Sequence, residues 1–591
     1  MNNFFINFFS SLLALTVFSI GSMFLVVLFI VAVVMALDTK IIPDTKPNSV
    51  LTITLEETVE DRPTEDLLGS IDIQNFSKKS TLGLNDIVAA IGRAKTDENI
   101  SGIYLAPGEI DAGITSVGEI RKALADFRES GKFVYTHADY LSQKAYFLVS
   151  LSDRIDMMPT GDLEFVGLSL QVMFYKNALE KLGVEPQVIR HGKYKGAVEP
   201  FILDRMSVEN NVQMKSLAQS MWNSIVPKIA ESREIPVATL NGYADTLAIA
   251  TAGKAVEYGL IDGIKYKDEA HEELARLLGV SSSDDIESVA LSSYIAKIKE
   301  DVPAVPAEDR IALIYAVGSM EMGSGSSTTI GSVGLSEAIA RARKDESVKA
   351  IVLRINSPGG DALAAEIILR EVKLARDTKP VVVSMGEYAA SGGYYIACAA
   401  DKIFASENTL TGSIGVFGIF FNADELLSGK LGITVEAVNT HAHSDIDGFY
   451  RSMNGEELRY MQHRIDGVYT QFSAHVAEGR KMEAEAVEKI AQGRVWSGND
   501  ALEIGLVDRI GGLDLALAEA AELAGIAEYS ILELPEMKGP FEQVLETVSS
   551  GVRSRVFSRA MDKEIAYFGK VRDILSVRGI QARVPYTLEI N

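Results

Sequence analysis

"TDENISGIYL" at 96–105 and "KDESVKAIVL" at 344–353 are two versions of one pattern, 248 positions apart. In each, a charged turn leads into an apolar, β-branched run. Further along the chain the spacing persists. "KLGVEPQVIR" from Lys181 matches "KLGITVEAVN" from Lys430, 249 positions on, and "GLID" from Gly259 matches "GLVD" from Gly505, 246 positions on. Matches in the same order at a near-constant spacing mark an internal duplication. In the second copy "RIALIYAV", "AIVLRI", "PVVVSM" and "KIFAS" read as strands, separated by amphipathic helices such as "LSEAIARARKD" and "AAEIILREVKLARD". That alternation predicts parallel β-α units, and so an α/β fold in each copy.

The proline- and acid-rich "EDVPAVPAED" places a linker at 301–309, between a first copy at 45–300 and a second at 310–538. Residues 539–591 have no counterpart in the first copy and end in a strand-like "RVPYTLEI". At the other end, residues 1–37 carry no charged side chain, and Phe8 to Leu37 is almost wholly apolar. A bilayer span needs about 20 such residues. A cleaved signal peptide has a shorter apolar core behind a basic segment, which is missing here. Residues 1–44 are therefore expected to form an uncleaved, single-pass anchor in contact with membrane lipid. Asp38, Lys40, Asp44 and Lys46 balance one another, so the Lys/Arg bias gives no orientation.

The chain has 57 Lys and Arg against 81 Asp and Glu, a net charge of -24. This excess argues against a nucleic-acid partner, because phosphate binding relies on clustered cations. With Cys398 as the one cysteine, no intrachain disulfide can form.

Three small-residue clusters in the second copy are expected just after strands: "NSPGG" (Asn356 to Gly360), "GEYAASGGYY" (Gly386 to Tyr395) and "LTGSIGVFG" (Leu410 to Gly418). In parallel α/β folds such strand ends gather ligands and catalytic groups. Ser391 would open the helix "GGYYIACAAD", either as a nucleophile near oxyanion donors or as a helix cap. No G-x-S-x-G elbow occurs, and the seven histidines show no triad spacing. His441 and His443 could share a strand face as metal ligands, but no third ligand is identifiable, which favours a solvated loop. Cys398, within an apolar helix, reads as a buried small residue. Without histidine, a buried lysine of lowered pKa can act as base. The stretch "RHGKYKGAVEPF" offers Lys193 and Lys195, expected on an extended segment and pointing opposite ways.

"RINSPGG", "MGEYAASGGYYIACAADKIFA", "LTGSIGVFG" and "KYKGAVEPF" closely resemble the motifs of signal peptide peptidase A (peptidase family S49, protease IV) in its long two-domain form, over about residues 45 to 535. More distantly, "NSPGG" and "AAS" are similar to Clp protease and the crotonase superfamily. The resemblance implies two tandem Clp/crotonase-like domains and a membrane-anchored serine endopeptidase that degrades cleaved signal peptides and other peptides. It further implies Ser391 as nucleophile, Lys195 as general base and Ser413 as the residue orienting that lysine. Backbone N–H groups of Gly359 or Gly360 and of Gly392 would form the oxyanion hole. Asp361 stands where the family usually has Ser or Val. A homo-oligomer, a tetramer by resemblance, is implied, with the globular part in the periplasm of a bacterial inner membrane. No metal or nucleotide cofactor is implied, since neither a Walker loop nor a ligand cluster is present.

The duplication bears on this assignment separately. The first-copy counterparts of Ser391 and Ser413, 248 positions back, are Gln143 and Phe165, and the second-copy counterpart of Lys195, 249 positions on, is Ser444. Each copy lacks what the other keeps, which implies one composite site. Two rivals are an acyl-CoA enzyme of the crotonase type and a non-catalytic membrane scaffold; neither requires a Ser/Lys pair.

Overall fold

A computed structural model describes residues 44–63, 71–72, 77–78, 81–301, 307–536 and 580–583, with Phe18 and Ser22. Most of the expected anchor, of the linker and of the C-terminal extension lies outside these residues. Among the described residues no helix is long and apolar enough to cross a membrane.

The chain is mixed α/β, and its duplication is visible strand by strand. The first copy forms a parallel sheet in the order Gly263–Ile264, Arg154–Leu163, Phe133–Leu141, Ile100–Leu105, Ser49–Ile53, Ser288–Ala290. The second repeats it as Arg509–Ile510, Lys402–Ala405, Val381–Ala390, Val348–Ser357, Arg310–Val317, Ser530–Leu534. Strands opening at Ile100, Phe133 and Arg154 have counterparts opening at Val348, Val381 and Lys402, 248 positions on in each case. These central strands are largely apolar on both faces because helices cover both, as parallel sheets require. Val348–Ser357, for example, is buried at eight of its ten positions. Helices Ser332–Lys344 and Ala362–Arg376 bury the alanine- and leucine-bearing stripes that their sequences predict. Asp361 caps the second of these, its carboxylate accepting from the Ala364 amide at 2.9 Å.

A third sheet crosses between the copies. The strand Glu185–His191 of the first copy runs antiparallel to Val416–Asn422 of the second, in register from His191 opposite Val416 to Glu185 opposite Asn422. On its other edge Val416–Asn422 pairs with Ile580–Arg583, which in turn pairs with Gly359–Asp361.

Buried charge also holds the copies together. Arg354 is fully buried on a central strand of the second copy and bonds Asp61 (2.6 Å) and Glu119 (3.2 Å) of the first. Glu387 accepts from the Thr115 amide (3.1 Å), the Ser116 amide (2.7 Å) and the Ser116 hydroxyl (2.8 Å). A carboxylate of the second copy thus satisfies the N-terminal donors of the first-copy helix Ile114–Arg128.

A composite candidate active site

The expected small-residue clusters do not all follow strands. Val381–Ala390 continues through "GEYAA", so Ser391 comes immediately after it. The expected helix "GGYYIACAAD" is shorter, Gly392–Ala397. Ser391 has φ 58° and ψ -113°, a conformation L-residues rarely adopt. Its amide donates to the Gly412 carbonyl (2.8 Å) and its carbonyl accepts from the Tyr395 amide (2.8 Å), which hold the turn closed. Of the two readings of this serine, the cap fails, because its side chain makes no capping bond to the helix. Such strain, held by surrounding bonds, is common where geometry serves chemistry.

Ser391 Oγ instead meets Lys195 Nζ at 2.8 Å. Lys195 does not lie on an extended segment as expected. The strand ends at His191, a turn follows, and Lys195 immediately precedes the short helix Gly196–Val198. Gly192, at φ 108°, makes the turn possible, and its left-handed backbone defeats the extended reading. Lys193 is exposed and Lys195 only 1% exposed. The two lysines diverge as expected, but by a turn rather than by strand alternation.

The lysine ammonium donates to Ser413 Oγ (2.9 Å), to the Ser413 carbonyl (3.1 Å) and to Ser391 Oγ. None of these partners is charged. Burial without a counter-charge disfavours the ammonium, so the Lys195 pKa lies well below 10.5. Behind the lysine stands a loop of the second copy. The Tyr194 amide donates to the Gln492 carbonyl (2.9 Å) and the Ser413 amide to the Arg494 carbonyl (2.7 Å). Gly493, at φ 79°, lies so close that an added Cβ would fall 2.7 Å from the Lys195 Cβ. The same turn is braced within the first copy. Gln213 donates to the Tyr194 carbonyl (2.9 Å) and to Asn210 (2.8 Å), and Asn210 donates to the buried Glu199 (3.0 Å).

The two glycines of "PGG" are not equivalent. Gly360 pairs with Met320 of a neighbouring strand. Gly359, at φ 96°, faces Gly392, and a Cβ on it would stand 2.7 Å from the Gly392 amide nitrogen. Gly359 and Gly392 therefore line one recess beside Ser391.

The first copy's counterpart of this site is filled. Gln143 Oε1 accepts from the amides of Val166 (3.0 Å) and Gly167 (2.8 Å), while the buried Phe165 packs against Tyr146 and Trp222. Ser444 is exposed in the segment 441–450. Several histidines have partners elsewhere, such as Asp466 for His191 and Glu457 for His443. Among the described residues no group of three or more His, Cys, Asp or Glu could hold a metal. Burial pushes the Cys398 thiol up to about 12, so it is no thiolate at neutral pH. Sequence reasoning missed Glu387, Gln213 and the Gln492–Arg494 loop, whose roles depend on contacts no local motif encodes.

The model of peptidase family S49 matches residues 126–281 and 373–527 of the chain, together more than half of it. Protease 4 of Salmonella typhi is 35% identical over 519 residues, covering 85% of this chain and 83% of that protein. Protease 4 of Haemophilus influenzae is 33% identical over 469 residues, covering 78% of this chain and 75% of that protein. A chloroplastic serine protease SPPA of Arabidopsis thaliana is 32% identical over 545 residues, covering 91% of this chain and 78% of that protein.

Proposed function

The chain belongs to peptidase family S49 and is a serine peptidase, and from that premise we propose that it cuts peptides with a single Ser391/Lys195 dyad assembled from both copies. The observation that carries this reading is the 2.8 Å contact between Lys195 Nζ and Ser391 Oγ, in a buried setting that favours the neutral amine. Lys195 takes the Ser391 proton, and Ser391 Oγ attacks the peptide carbonyl. The Gly392 amide receives the developing oxyanion, joined by that of Gly359, which also donates to Ser357 Oγ at 3.2 Å. Lys195 then protonates the leaving amine, and a water activated by the same lysine releases the acyl group. Ser413 holds the amine on line. Gly360, engaged with Met320, supports the recess rather than facing it.

The finer reading follows the resemblance. The two copies are Clp/crotonase-type domains, 45–300 supplying the base and 310–538 the nucleophile. The substrates are signal peptides already released from their precursors, together with other peptides. Residues 1–44 anchor the enzyme in the bilayer beside them as a single span of the bacterial inner membrane, with the globular part in the periplasm. The assembled form is a homo-oligomer.

The test is hydrolysis of a fluorogenic peptide together with fluorophosphonate labelling. Ser391→Ala and Lys195→Arg are each expected to lose activity while folded, since a guanidinium does not deprotonate. Ser413→Ala should lose only about tenfold, the value of one hydrogen bond. Wild-type turnover by Ser391→Ala would refute the dyad.

A further inference from the structure

The strand that leads into Ser391 changes neighbours partway along. Val382–Ser384 pairs with Lys402–Phe404, whereas Tyr388–Ala390 pairs with Leu410–Gly412, which runs on into Ser413. Between the two stretches lies a bulge. On the strand's other edge Ile355 is opposite Met385 and Ser357 opposite Ala389, so Asn356 alone faces Gly386, Glu387 and Tyr388. Bulges beside active sites re-aim the residues that follow them. Asn356 holds this one with its side chain. Its Oδ1 accepts from the Tyr388 amide (3.2 Å), and a Cβ built on Gly386 would stand 3.1 Å from its Cγ. Its Nδ2 donates to Asp61 Oδ2 at 2.6 Å. Asp61 belongs to the first copy, is 5% exposed, and accepts from Arg354 Nε at 2.6 Å through its other oxygen. A carboxylate only accepts, so the Asn356 amide is fixed with its NH2 toward Asp61 and its oxygen toward Tyr388. The bonds from Thr115 and Ser116 to Glu387 act on the same bulge.

We infer that Asp61 is a positioning residue for the nucleophile: through Asn356 it sets the bulge that aims Ser391 at Lys195 and Ser413. The inference goes beyond the dyad and rests on Ser391 being the nucleophile. The first copy then contributes twice to one site, a base from Lys195 and an alignment from Asp61. Asp61 acts through Asn356 and not on the peptide itself.

The direction of the hydrogen bonds supplies the test. In Asp61→Asn one amide oxygen cannot accept from both Arg354 and Asn356, so a bond holding the bulge is lost. In Asn356→Asp two carboxylates face each other. The double variant Asp61→Asn/Asn356→Asp reverses the donor and restores every bond. The new amide accepts from Arg354 and donates to the new carboxylate, which accepts from Tyr388. Hydrolysis of a fluorogenic peptide gives kcat and KM, with kcat counted per serine titrated by fluorophosphonate so that unfolded chains do not contribute. Each single variant is expected to lower kcat by roughly 10- to 100-fold with KM changed less than about twofold, as for a misplaced reacting group. The double variant should return to within about threefold of wild-type kcat, because residues in contact are coupled. Wild-type kcat in Asp61→Asn would overturn the positioning role and leave the dyad standing. So would a double variant no faster than the single ones. If Asp61→Asn does not fold, the double variant decides alone, and its failure to fold or to turn over also overturns the inference. Turnover by Ser391→Ala, assayed alongside, would instead overturn the dyad reading on which the inference rests.

Discussion

Lys195 Nζ and Ser391 Oγ meet at 2.8 Å although 196 positions of sequence separate them. The antiparallel ladder between Glu185–His191 and Val416–Asn422 brings them together. It ends with His191 opposite Val416, so the turn to Lys195 begins beside the Ser413 segment. The ladder joins the two copies, so a lysine of one stands beside a serine of the other.

Placing an uncompensated lysine in the core carries a stability cost with a definite pH dependence. Its folded pKa is below its unfolded value, so between the two the unfolded state binds the extra proton. Stability therefore rises with pH through that window and levels off near 10.5. Lys195→Met is expected to be inactive but more stable at neutral pH by about 1–3 kcal/mol. That gain should shrink as the pH approaches 10.5. Chemical denaturation at several pH values checks it, and a less stable Met variant at neutral pH would contradict it.

Gly493 positions the lysine by having no side chain. Gly493→Ala would press on the Lys195 backbone and Cβ and strain a left-handed φ of 79°. A small displacement of a reacting group is expected to lower kcat by roughly 10- to 100-fold. Gly467, within the helix Gly455–Arg480, has open space around its Cα. Gly467→Ala should leave kcat unchanged and raise stability by about 0.5–1 kcal/mol. Equal kcat for the two variants would remove the positioning role.

Glu387 ties the strand bearing Ser391 to the first copy. Burial pushes its pKa up, while the three donors from Thr115 and Ser116 oppose that shift. Glu387→Ala leaves those donors without their acceptor and is expected to cost about 2–4 kcal/mol. Glu387→Gln, which keeps an acceptor oxygen, should recover part of it. Thermal unfolding of the pair checks this, and an Ala variant as stable as wild type would show that the contact contributes nothing.

Much of this was legible in the sequence for a physical reason. The repeat conveys topology because strands buried on both faces must stay apolar, so "GIYL" and "AIVL" keep their character while other positions drift. The "AASGG", "TGSIG" and "KYKGAVEPF" motifs are local, and they marked Ser391, Ser413 and Lys195. The turn at Gly192 was not legible, because "HGKYK" suits a strand as well as a turn until Gln492 and Gly493 close against it. Gly359 and Gly360 look alike in "PGG", and only pairing with Met320 separates them. The strand-like "RVPYTLEI" pointed to the C-terminal region, but the described strand is Ile580–Arg583, of which it includes only the last residue. "IQAR" has no strand signature of its own, and its conformation comes from the two edges it pairs with.

The rate at which a fluorophosphonate labels Ser391, measured against pH in wild type and in Lys195→Met, tests the composite dyad most directly. In wild type the rate should rise with pH along a single titration below 10.5, as the buried amine becomes neutral. In Lys195→Met it should fall by about 10²- to 10⁴-fold and lose that titration. Equal labelling rates with the same pH profile in both proteins would show that Lys195 is not the base and that the two copies do not share one site.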